Sequence, residues 1–260
     1  MEMTRILCIL RGGLGNQLFQ YAAAITVRNY LDKNIRITFS SLDNKHNTNR
    51  FDYVSMLFTE GVYTEPTTVT IFADDGNSFR KWEPDEYKIE DVILMQGYYQ
   101  YLPTIEPILP FLRKSIFQSL LKFVQPIPID ENTGFVHVRR GDFLNPDQAQ
   151  FHWVQPIEYY ELGMQILEYK NPNIKTWLIF SDDTIWCSQS FTKKNIMILT
   201  GMNELQTLYC MIQCKAGAVI SNSTFSWWGA VLGAHSSVVY PKKWYGDANP
   251  TLFPEGWICL

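Results

Sequence analysis

The fold is decided near the start of the sequence, where Arg5-Ile6-Leu7-Cys8-Ile9-Leu10-Arg11-Gly12-Gly13-Leu14-Gly15-Asn16-Gln17 joins a short apolar run to a glycine-rich turn. After the turn, apolar residues recur at helical spacing, namely Leu18, Tyr21, Ala22, Ile25 and Tyr30. A second apolar run follows at residues 35–39. The order strand, turn, helix, strand is typical of a parallel sheet with right-handed crossovers.

A second alternation of strand and helix patterns fills the other half of the chain. Strands are predicted at 134–138, 175–180, 196–199, 218–220 and 237–240, with helices at 156–169, 203–214 and through 228–232. The polar stretch 125–132 carries two prolines and suits a linker. We therefore predict an α/β protein with two Rossmann-like domains, residues 1–128 and 129–260. Residues 41–90 show weak patterning and receive no assignment.

Composition narrows the class of protein. The chain has 260 residues, 46% of them hydrophobic, which predicts well-packed domains. A net charge of −4 argues against nucleic acid as the main partner. Five scattered cysteines and the lack of a secretory pattern predict a cytoplasmic protein with reduced thiols, and no run reaches the ~20 apolar residues of a membrane span. The segment 105–124 is read either as a packed helix or as a peripheral membrane contact.

The most informative motif is His137-Val138-Arg139-Arg140-Gly141-Asp142, which follows the apolar run 134–136. Ligands of open α/β sheets bind at the carboxyl ends of the strands. Arginine presents a planar, permanently charged fork that matches phosphate oxygens. The motif predicts a site where a phosphate leaves and a proton moves. The alternative is that Arg139 and Arg140 are surface residues paired with nearby acids.

The first turn, with Gly13, Gly15, Asn16 and Gln17, predicts a second ligand contact. Glycines let a ligand approach the backbone, and a helix N-terminus offers free N–H groups with partial positive charge. Leu18 stands where the dinucleotide fingerprint has its third glycine, and no phosphate-loop lysine follows. A tight turn without a ligand is the alternative.

Ser181-Asp182-Asp183 closes another predicted strand and could bind a ligand or a metal ion. No Asp-x-Asp pair occurs, and the histidines lack the spacing of metal ligands. We therefore predict no metal, so that arginines and backbone donors carry the phosphate charge. The alternative is structural, with Asp183 as a helix N-cap. Cys210 and Cys214 are expected in the core.

Hydroxyl groups crowd a third strand-to-helix turn, Ser221-Asn222-Ser223-Thr224-Phe225-Ser226-Trp227-Trp228. Side chains of this kind cap helices and also bind phosphate or ribose oxygens. The two tryptophans are expected in the core, with a sugar-stacking surface as the alternative.

With these motifs, the chain resembles the α-1,2-fucosyltransferases of glycosyltransferase family 11. The resemblance rests on blocks in family order at residues 12–22, 96–100, 137–142, 179–183 and 221–230. It implies a GT-B-type fold, with the two domains facing each other across a cleft and the N-terminal one on the acceptor side. It also implies that the C-terminal domain binds the donor GDP-fucose and that the acceptor is a galactose-terminated glycan. The reaction would need no metal or other cofactor and would invert the fucose anomeric carbon.

The resemblance assigns roles to residues by their place in the motifs. Arg139 or Arg140 would bind the donor phosphate and the Gly13–Gln17 turn would lie near the sugar, while the turn from Ser223 to Ser226 would hold phosphate or ribose. Asn222 and the Ser181-Asp182-Asp183 block join the expected GDP-fucose contacts. The family places an acidic residue for guanine where this chain has Thr207, with Glu204 one turn earlier.

The chemistry of transfer then requires a phosphate clamp and a base. We predict Arg140 as the phosphate clamp, with Arg139 beside it. We predict Asp142 as the base, with His137 and Asp147 next in line; alternatively Asp142 only orients an arginine. Two other functions are possible. One is fucosyl transfer with α-1,6 or protein O-linkage, and the other is a nucleotide-sugar-binding module without catalysis.

Overall fold

Every described strand pairs in parallel with its neighbours, in two separate sheets. The computed structural model describes residues 5–41, 50–59, 62–63, 70–73, 92–149, 151–246 and 251–260. Two units result: the first runs to Phe123 and includes Thr251 and Leu252, and the second contains the rest of the chain from Val124 onward. The predicted boundary at residue 128 falls in a segment, 125–130, that has no helix or strand.

The first unit has a five-stranded sheet in the order β3-β2-β1-β5-β4. Its elements are β1 (Arg5–Leu10), α1 (Leu14–Leu31), β2 (Arg36–Ser41), α2 (Arg50–Leu57), β3 (Val62–Tyr63), β4 (Thr70–Ala73), β5 (Val92–Gln96), α3 (Leu102–Ile105) and α4 (Leu109–Phe123). The strand β1 lies at the centre, which explains its continuous apolar run. Tyr30, expected on the buried face of α1, is exposed.

The turn between β1 and α1 is tight because Gly12 adopts a φ of +76°. A Cβ at this position would lie 2.6 Å from Nδ2 of Asn16, so a larger residue would be strained both in backbone and in space. The helix begins after Gly13, whose carbonyl accepts from the N–H of Gln17 at 3.1 Å. The predicted strand-turn-helix-strand opening is confirmed.

The second unit has a six-stranded sheet in the order β11-β10-β9-β6-β7-β8. Its elements are β6 (Thr133–Val138), α5 (Pro146–Ala149), α6 (Ile157–Lys170), β7 (Thr176–Ser181), α7 (Thr184–Ser190), β8 (Ile196–Ile198), α8 (Glu204–Gln213), β9 (Ala218–Val219), α9 (Thr224–Leu232), β10 (Val238–Tyr240) and β11 (Ile258–Cys259). The sequence did not predict β11. Because β6 lies between β7 and β9, the loops that follow these three strands meet at one edge.

Helix α4 supports the interpretation of the segment 105–124 as a packed helix, and the peripheral membrane contact stays a prediction. Leu112, Ile116 and Leu120 are fully buried, as expected for a packed helix, whereas Phe111 and the last residue of the helix, Phe123, are exposed. Within the described residues, no helix combines the length and the apolar character needed to cross a membrane. The unassigned residues 41–90 lie largely outside the described ranges.

The cysteines are all free, and their exposure divides them. Cys8, Cys187, Cys210 and Cys214 are buried, whereas Cys259 on β11 is exposed. The prediction that Cys210 and Cys214 belong to the core is confirmed. Burial raises the pKa of the Cys210 thiol to about 11 and raises that of Cys187 as well.

Candidate active site

The candidate site lies at the carboxyl edge of the second sheet, where three neighbouring strands release polar loops. Register pairs Val138, the last residue of β6, with Ser181, the last residue of β7. Residues 139–142 and 181–183 therefore leave the sheet side by side. The turn 221–226 follows β9 on the other side of β6.

Arg139 is held between two carboxylates. Its Nη2 lies 2.7 Å from Oδ1 of Asp142, and its Nη1 lies 2.9 Å from Oδ2 of Asp182. The side chains of Arg139 and Asp142 are 31% and 51% exposed, so water weakens these ion pairs. The alternative in which arginines pair with nearby acids therefore describes Arg139 well, since both of its terminal nitrogens have carboxylate partners.

Arg140 is more deeply placed and differently held. Its side chain is 16% exposed, and its Nε donates to Oδ2 of Asp183 at 3.1 Å. The guanidinium carbon lies 4.1 Å from the ring centroid of Trp186, a cation–π geometry. Among the described residues, Nε is the only side-chain nitrogen of Arg140 that makes a hydrogen bond. Its terminal Nη atoms keep the donor pair that a phosphate would need.

Asp182 and Asp183 therefore accept hydrogen bonds from the two arginines. Asp182 Oδ1 accepts from the backbone N–H of Arg140 at 2.9 Å, in addition to the contact of Oδ2 with Arg139. Asp183 Oδ1 accepts from the backbone N–H of Trp186 at 3.0 Å, which confirms Asp183 as the N-cap of α7. Ser181 Oγ accepts from the N–H of Asp183 at 2.9 Å. The direct contacts predicted between GDP-fucose and the side chains of Ser181, Asp182 and Asp183 stay predictions.

The loop is packed closely around Gly141. A Cβ at this position would lie 2.6 Å from Oδ2 of Asp182, the same oxygen that pairs with Arg139. A glycine is therefore required for Asp182 to reach both arginines. This requirement links the glycine of the 137–142 motif to the geometry of its charged residues.

His137 lies beneath the arginines, buried in β6. Its Nδ1 is 2.9 Å from Oγ of Ser221, and its ring meets Phe225 edge-to-face at 5.9 Å. Burial, with a smaller effect of the Arg139 charge, lowers the pKa of His137 to about 3. The imidazole is therefore neutral near pH 7, and it joins the 137–142 motif to the 221–226 turn.

The 221–226 turn divides into buried and partly exposed residues. Ser226 is buried, and its hydroxyl donates to the carbonyl of Ser223 at 3.0 Å. Asn222 is also buried; its amide oxygen accepts from Gln155 at 3.4 Å and its amide nitrogen donates to the carbonyl of Trp244 at 3.3 Å. Ser221 is buried as well, whereas Ser223, Thr224 and Phe225 are partly exposed.

The tryptophan pair of this turn belongs to the core. Trp227 and Trp228 are fully buried and cross edge-to-face, with centroids 5.0 Å apart. This confirms the core reading. The alternative of a sugar-stacking surface is wrong for these two rings, because the first turns of α9 direct both of them into the unit.

In the first unit, the Gly13–Gln17 turn forms a polar network of its own. Asn16 Oδ1 accepts from Nε2 of Gln100 at 3.0 Å, and Gln17 Nε2 donates to the carbonyl of Gly12 at 2.9 Å. Gln17 is buried, and its Oε1 has no hydrogen-bond partner among the described residues. A Cβ on Gly13 would meet open space. The predicted sugar contact of this turn, including Gly15, stays a prediction.

Several side chains near the arginines escaped the sequence reading. Phe143 packs against Arg139, with the guanidinium carbon 5.6 Å from its centroid, and His152 stacks on Phe143 at 4.2 Å. Burial is the main cause that lowers the pKa of His152; nearby Asp142 raises it and Arg139 lowers it. Asp147, a candidate base, is exposed in α5. The aromatic run 151–153 was the available signal, but its spacing fits no helix or strand pattern.

No group of three or more His, Cys, Asp or Glu side chains suited to a metal ion occurs in the part of the chain that the structure describes. Metal independence stays a prediction.

Comparison with known proteins places this geometry among glycosyltransferases. The model of Glycosyl transferase family 11 matches residues 93–259. The chain is similar to the O-antigen biosynthesis glycosyltransferase WbnK of Escherichia coli, at 27% identity over 96% of this chain and 99% of WbnK. It is also similar to an alpha-1,2-colitosyltransferase of Escherichia coli, at 23% identity over 98% of this chain and 99% of that protein.

Solved structures agree on the fold. The fucosyltransferase NodZ from Bradyrhizobium aligns with a TM-score of 0.54 at 13% identity, over 89% of this chain and 94% of NodZ. A glycosyl transferase of family 9 from Veillonella parvula aligns with a TM-score of 0.52 at 12% identity, over 100% of this chain and 88% of that chain. The predicted α/β fold of GT-B type is confirmed.

Proposed function

Because this chain belongs to glycosyltransferase family 11, we propose that it transfers L-fucose from GDP-fucose to the 2-hydroxyl of a terminal galactoside. The similarity to an alpha-1,2-colitosyltransferase supports transfer to a 2-hydroxyl. The proposal depends most on one observation. Arg140 stands at the sheet edge with Nε bound to Asp183 and with its terminal nitrogens unengaged by described residues.

The arginine would act on the leaving group. Transfer breaks the bond between the fucose anomeric carbon and a phosphate oxygen of GDP, and the electron pair leaves with GDP. A donor fixed before the reaction stabilises this growing charge without reorganising, and loss of one such donor commonly costs ~10²–10³ in rate. Asp183 and Trp186 fix the guanidinium of Arg140 from two sides. Arg139, whose charge two aspartates neutralise, would hold the 139–142 loop in its conformation.

The acceptor oxygen forms the new bond on the opposite face of the sugar, which inverts the anomeric centre, and its proton must go to a base. Asp142 is our first candidate, because its side chain is 51% exposed and lies beside the arginines. Its contact with Arg139 at 2.7 Å supports the competing role of orienting that arginine. His137 suits the base role less well, since it is buried and its pKa of about 3 makes it a weak base.

Charge neutralisation by arginine also leads us to propose that the reaction needs no metal ion. Arg140 brings a permanent positive charge to the sheet edge, and its terminal nitrogens are unengaged by described residues, whereas two aspartates already balance the charge of Arg139. Activity retained in excess EDTA would support this part of the proposal, and activity restored only by added magnesium or manganese would contradict it.

A second candidate differs only in the donor sugar. The relative named as a colitosyltransferase makes GDP-colitose a reasonable donor. Colitose is fucose without the 3-hydroxyl, so the two donors differ by a single polar group. A site that hydrogen-bonds the 3-hydroxyl would strongly prefer fucose, since its own polar groups would be left unpaired by colitose.

The deciding experiment is a transfer assay on the purified protein with lactose as acceptor and either GDP-fucose or GDP-colitose as donor. We expect GDP release that depends on lactose, and an α-1,2 linkage in the product by NMR. A product with α-1,6 linkage, or GDP-fucose binding without transfer to any galactoside, would overturn the proposed function. Higher kcat/KM with GDP-colitose would favour the second candidate.

A further inference from the structure

The second unit carries three exposed aromatic rings beside the candidate site. Phe151, Trp153 and Tyr245 are 42%, 38% and 39% exposed. We call these three residues the aromatic platform. Phe151 and Trp153 lie between α5 and α6, and Tyr245 lies beyond β10. Exposed aromatic rings grouped in this way mark interaction surfaces more often than rings scattered singly.

The rings of the platform are held in place by contacts of the chain itself. Phe151 stacks on Tyr245 with centroids 5.8 Å apart and planes 10° from parallel. The N–H of Gly246 donates to the carbonyl of Phe151 at 2.9 Å, which ties the two loops together. Lys243 Nζ lies 3.6 Å from the ring centroid of Trp153. A surface ordered before binding loses less conformational entropy when a ligand arrives.

Ring contacts join the platform to the arginine loop without interruption. His152 stacks on Phe143 at 4.2 Å and meets Tyr245 edge-to-face at 5.2 Å. Phe143 in turn lies under the guanidinium of Arg139. The rings of His152 and Phe143 would therefore separate a ligand on Tyr245 from Arg139, which pairs with Asp142, our candidate base.

The chemistry of the platform suits a saccharide. A galactose ring has one face of C–H groups that packs on an aromatic ring, and hydroxyls around its edge that need hydrogen bonds. Binding sites for small molecules combine such apolar rings with a few polar groups. Here the polar groups are the ammonium of Lys243 and the phenol of Tyr245. A protein partner would have to bury the Lys243 charge, at a cost in desolvation.

We infer that the aromatic platform binds the galactose end of the acceptor saccharide. This inference rests on the proposed function for the identity of the sugar. It assigns an acceptor contact to the second unit, whereas the resemblance implies an acceptor side in residues 1–128. The face of C–H groups of the sugar would pack on the ring of Tyr245, which Phe151 supports, and on the ring of Trp153.

The first test measures kinetics with lactose and GDP-fucose. We expect Tyr245→Ala and Trp153→Ala each to raise the KM for lactose at least ~10-fold, the factor that a lost aromatic contact can produce. The KM for GDP-fucose and the thermal unfolding midpoint should stay within error of the unmodified protein. Tyr169→Ala removes a ring that is 89% exposed on α6 and serves as the matched control. An unchanged lactose KM in both platform variants, or a rise in the GDP-fucose KM alone, would overturn the inference.

The second test observes binding without turnover. The protein contains eight tryptophans, and 5-fluorotryptophan labelling with a Trp153→Phe variant identifies the ¹⁹F signal of Trp153. Lactose should shift that signal in the absence of any donor. A shift without fucosyl transfer would leave the platform inference standing and refute the proposed function. Fucosyl transfer to lactose without a shift would support the proposed function and refute the platform inference.

Discussion

Asp183 binds Arg140 with one carboxylate oxygen and the N-terminus of α7 with the other. The contact of Oδ2 with Nε of Arg140 is 3.1 Å, and that of Oδ1 with the N–H of Trp186 is 3.0 Å. The hydrogen bond from Trp186, followed by that from Arg140, lowers the pKa of the Asp183 carboxyl, so that it stays ionised near pH 7. The position of the guanidinium is thus set by a helix terminus as well as by the loop after β6.

Replacement of Arg140 by lysine tests whether the planar fork matters beyond its charge. Arg140→Lys keeps the positive charge but loses the Nε contact with Asp183 and the paired terminal donors. We expect kcat to fall at least ~10²-fold. Steady-state kinetics with GDP-fucose and lactose measure the effect. Arg36→Lys, at an exposed position of β2, is the matched control and should leave kcat unchanged; near-normal turnover in Arg140→Lys would refute the clamp.

Replacement of Asp142 by asparagine separates two roles. If Asp142 is the base, kcat of Asp142→Asn should fall by ~10²–10⁴ and lose its dependence on an ionised carboxylate in the pH–rate profile. We expect this outcome. A higher KM for GDP-fucose with an unchanged profile would instead mean that Asp142 only positions Arg139. Asp147→Asn, measured in parallel, shows whether the exposed carboxylate of α5 takes any part.

Gly141→Ala tests the packing around Asp182. The added Cβ would approach Oδ2 of Asp182 to 2.6 Å and displace it from Arg139. We expect kcat/KM to fall ~10-fold or more, because small displacements of catalytic groups are costly. Asp182→Ala removes the clashing carboxylate, so the double variant should lose no more than Asp182→Ala alone. Additive losses in kcat/KM would show that the two residues act separately.

Buried histidines predict how stability depends on pH. Burial lowers the pKa of His137 to about 3 and that of His235 to about 4, from an ordinary 6.5. Between pH 6.5 and these values the unfolded chain binds protons at both residues and the folded chain does not. The free energy of unfolding should therefore fall as the pH falls below 6.5, by up to ~1.4 kcal/mol per pH unit for each histidine.

The variant His235→Gln checks this dependence away from the chemistry. Glutamine can still donate to the carbonyl of Met211, as Nε2 of His235 does at 3.1 Å. The fall in thermal midpoint between pH 6.5 and 5 should be smaller in His235→Gln than in the unmodified protein, with fucosyl transfer unaffected. An identical slope would mean that His235 is protonated in the folded chain.

The sequence predicted residues 139–142, 181–183 and 221–226 as ligand contacts, because each follows a predicted strand of a parallel sheet. That these three loops lie side by side follows from the strand order β9-β6-β7, which the structure shows. The sequence could not predict their partners. Ser226 and Asn222 read as ligand contacts, but their polar groups are used by Ser223, Gln155 and Trp244 within the unit. Hydrogen bonds of this kind depend on where side chains point, which the order of elements does not set.

The aromatic platform was beyond sequence reasoning for a related reason. Phe151 and Tyr245 are far apart in the chain, and each is an ordinary exposed aromatic when considered alone. Only the packing of the loops after β6 and β10 brings their rings parallel. The same holds for Trp186, whose contact with Arg140 depends on where α7 begins.

The unequal exposure of the thiols offers a practical route to studying this enzyme. Four of the five cysteines are buried and Cys259 alone is exposed, so a maleimide dye should attach at one position without any prior mutagenesis. Since Cys259 lies on the edge strand of the second unit, opposite in sheet order to β8, the dye would be fixed to a known point of the sheet. Energy transfer between that dye and a fluorescent guanine nucleotide would then measure where the donor rests.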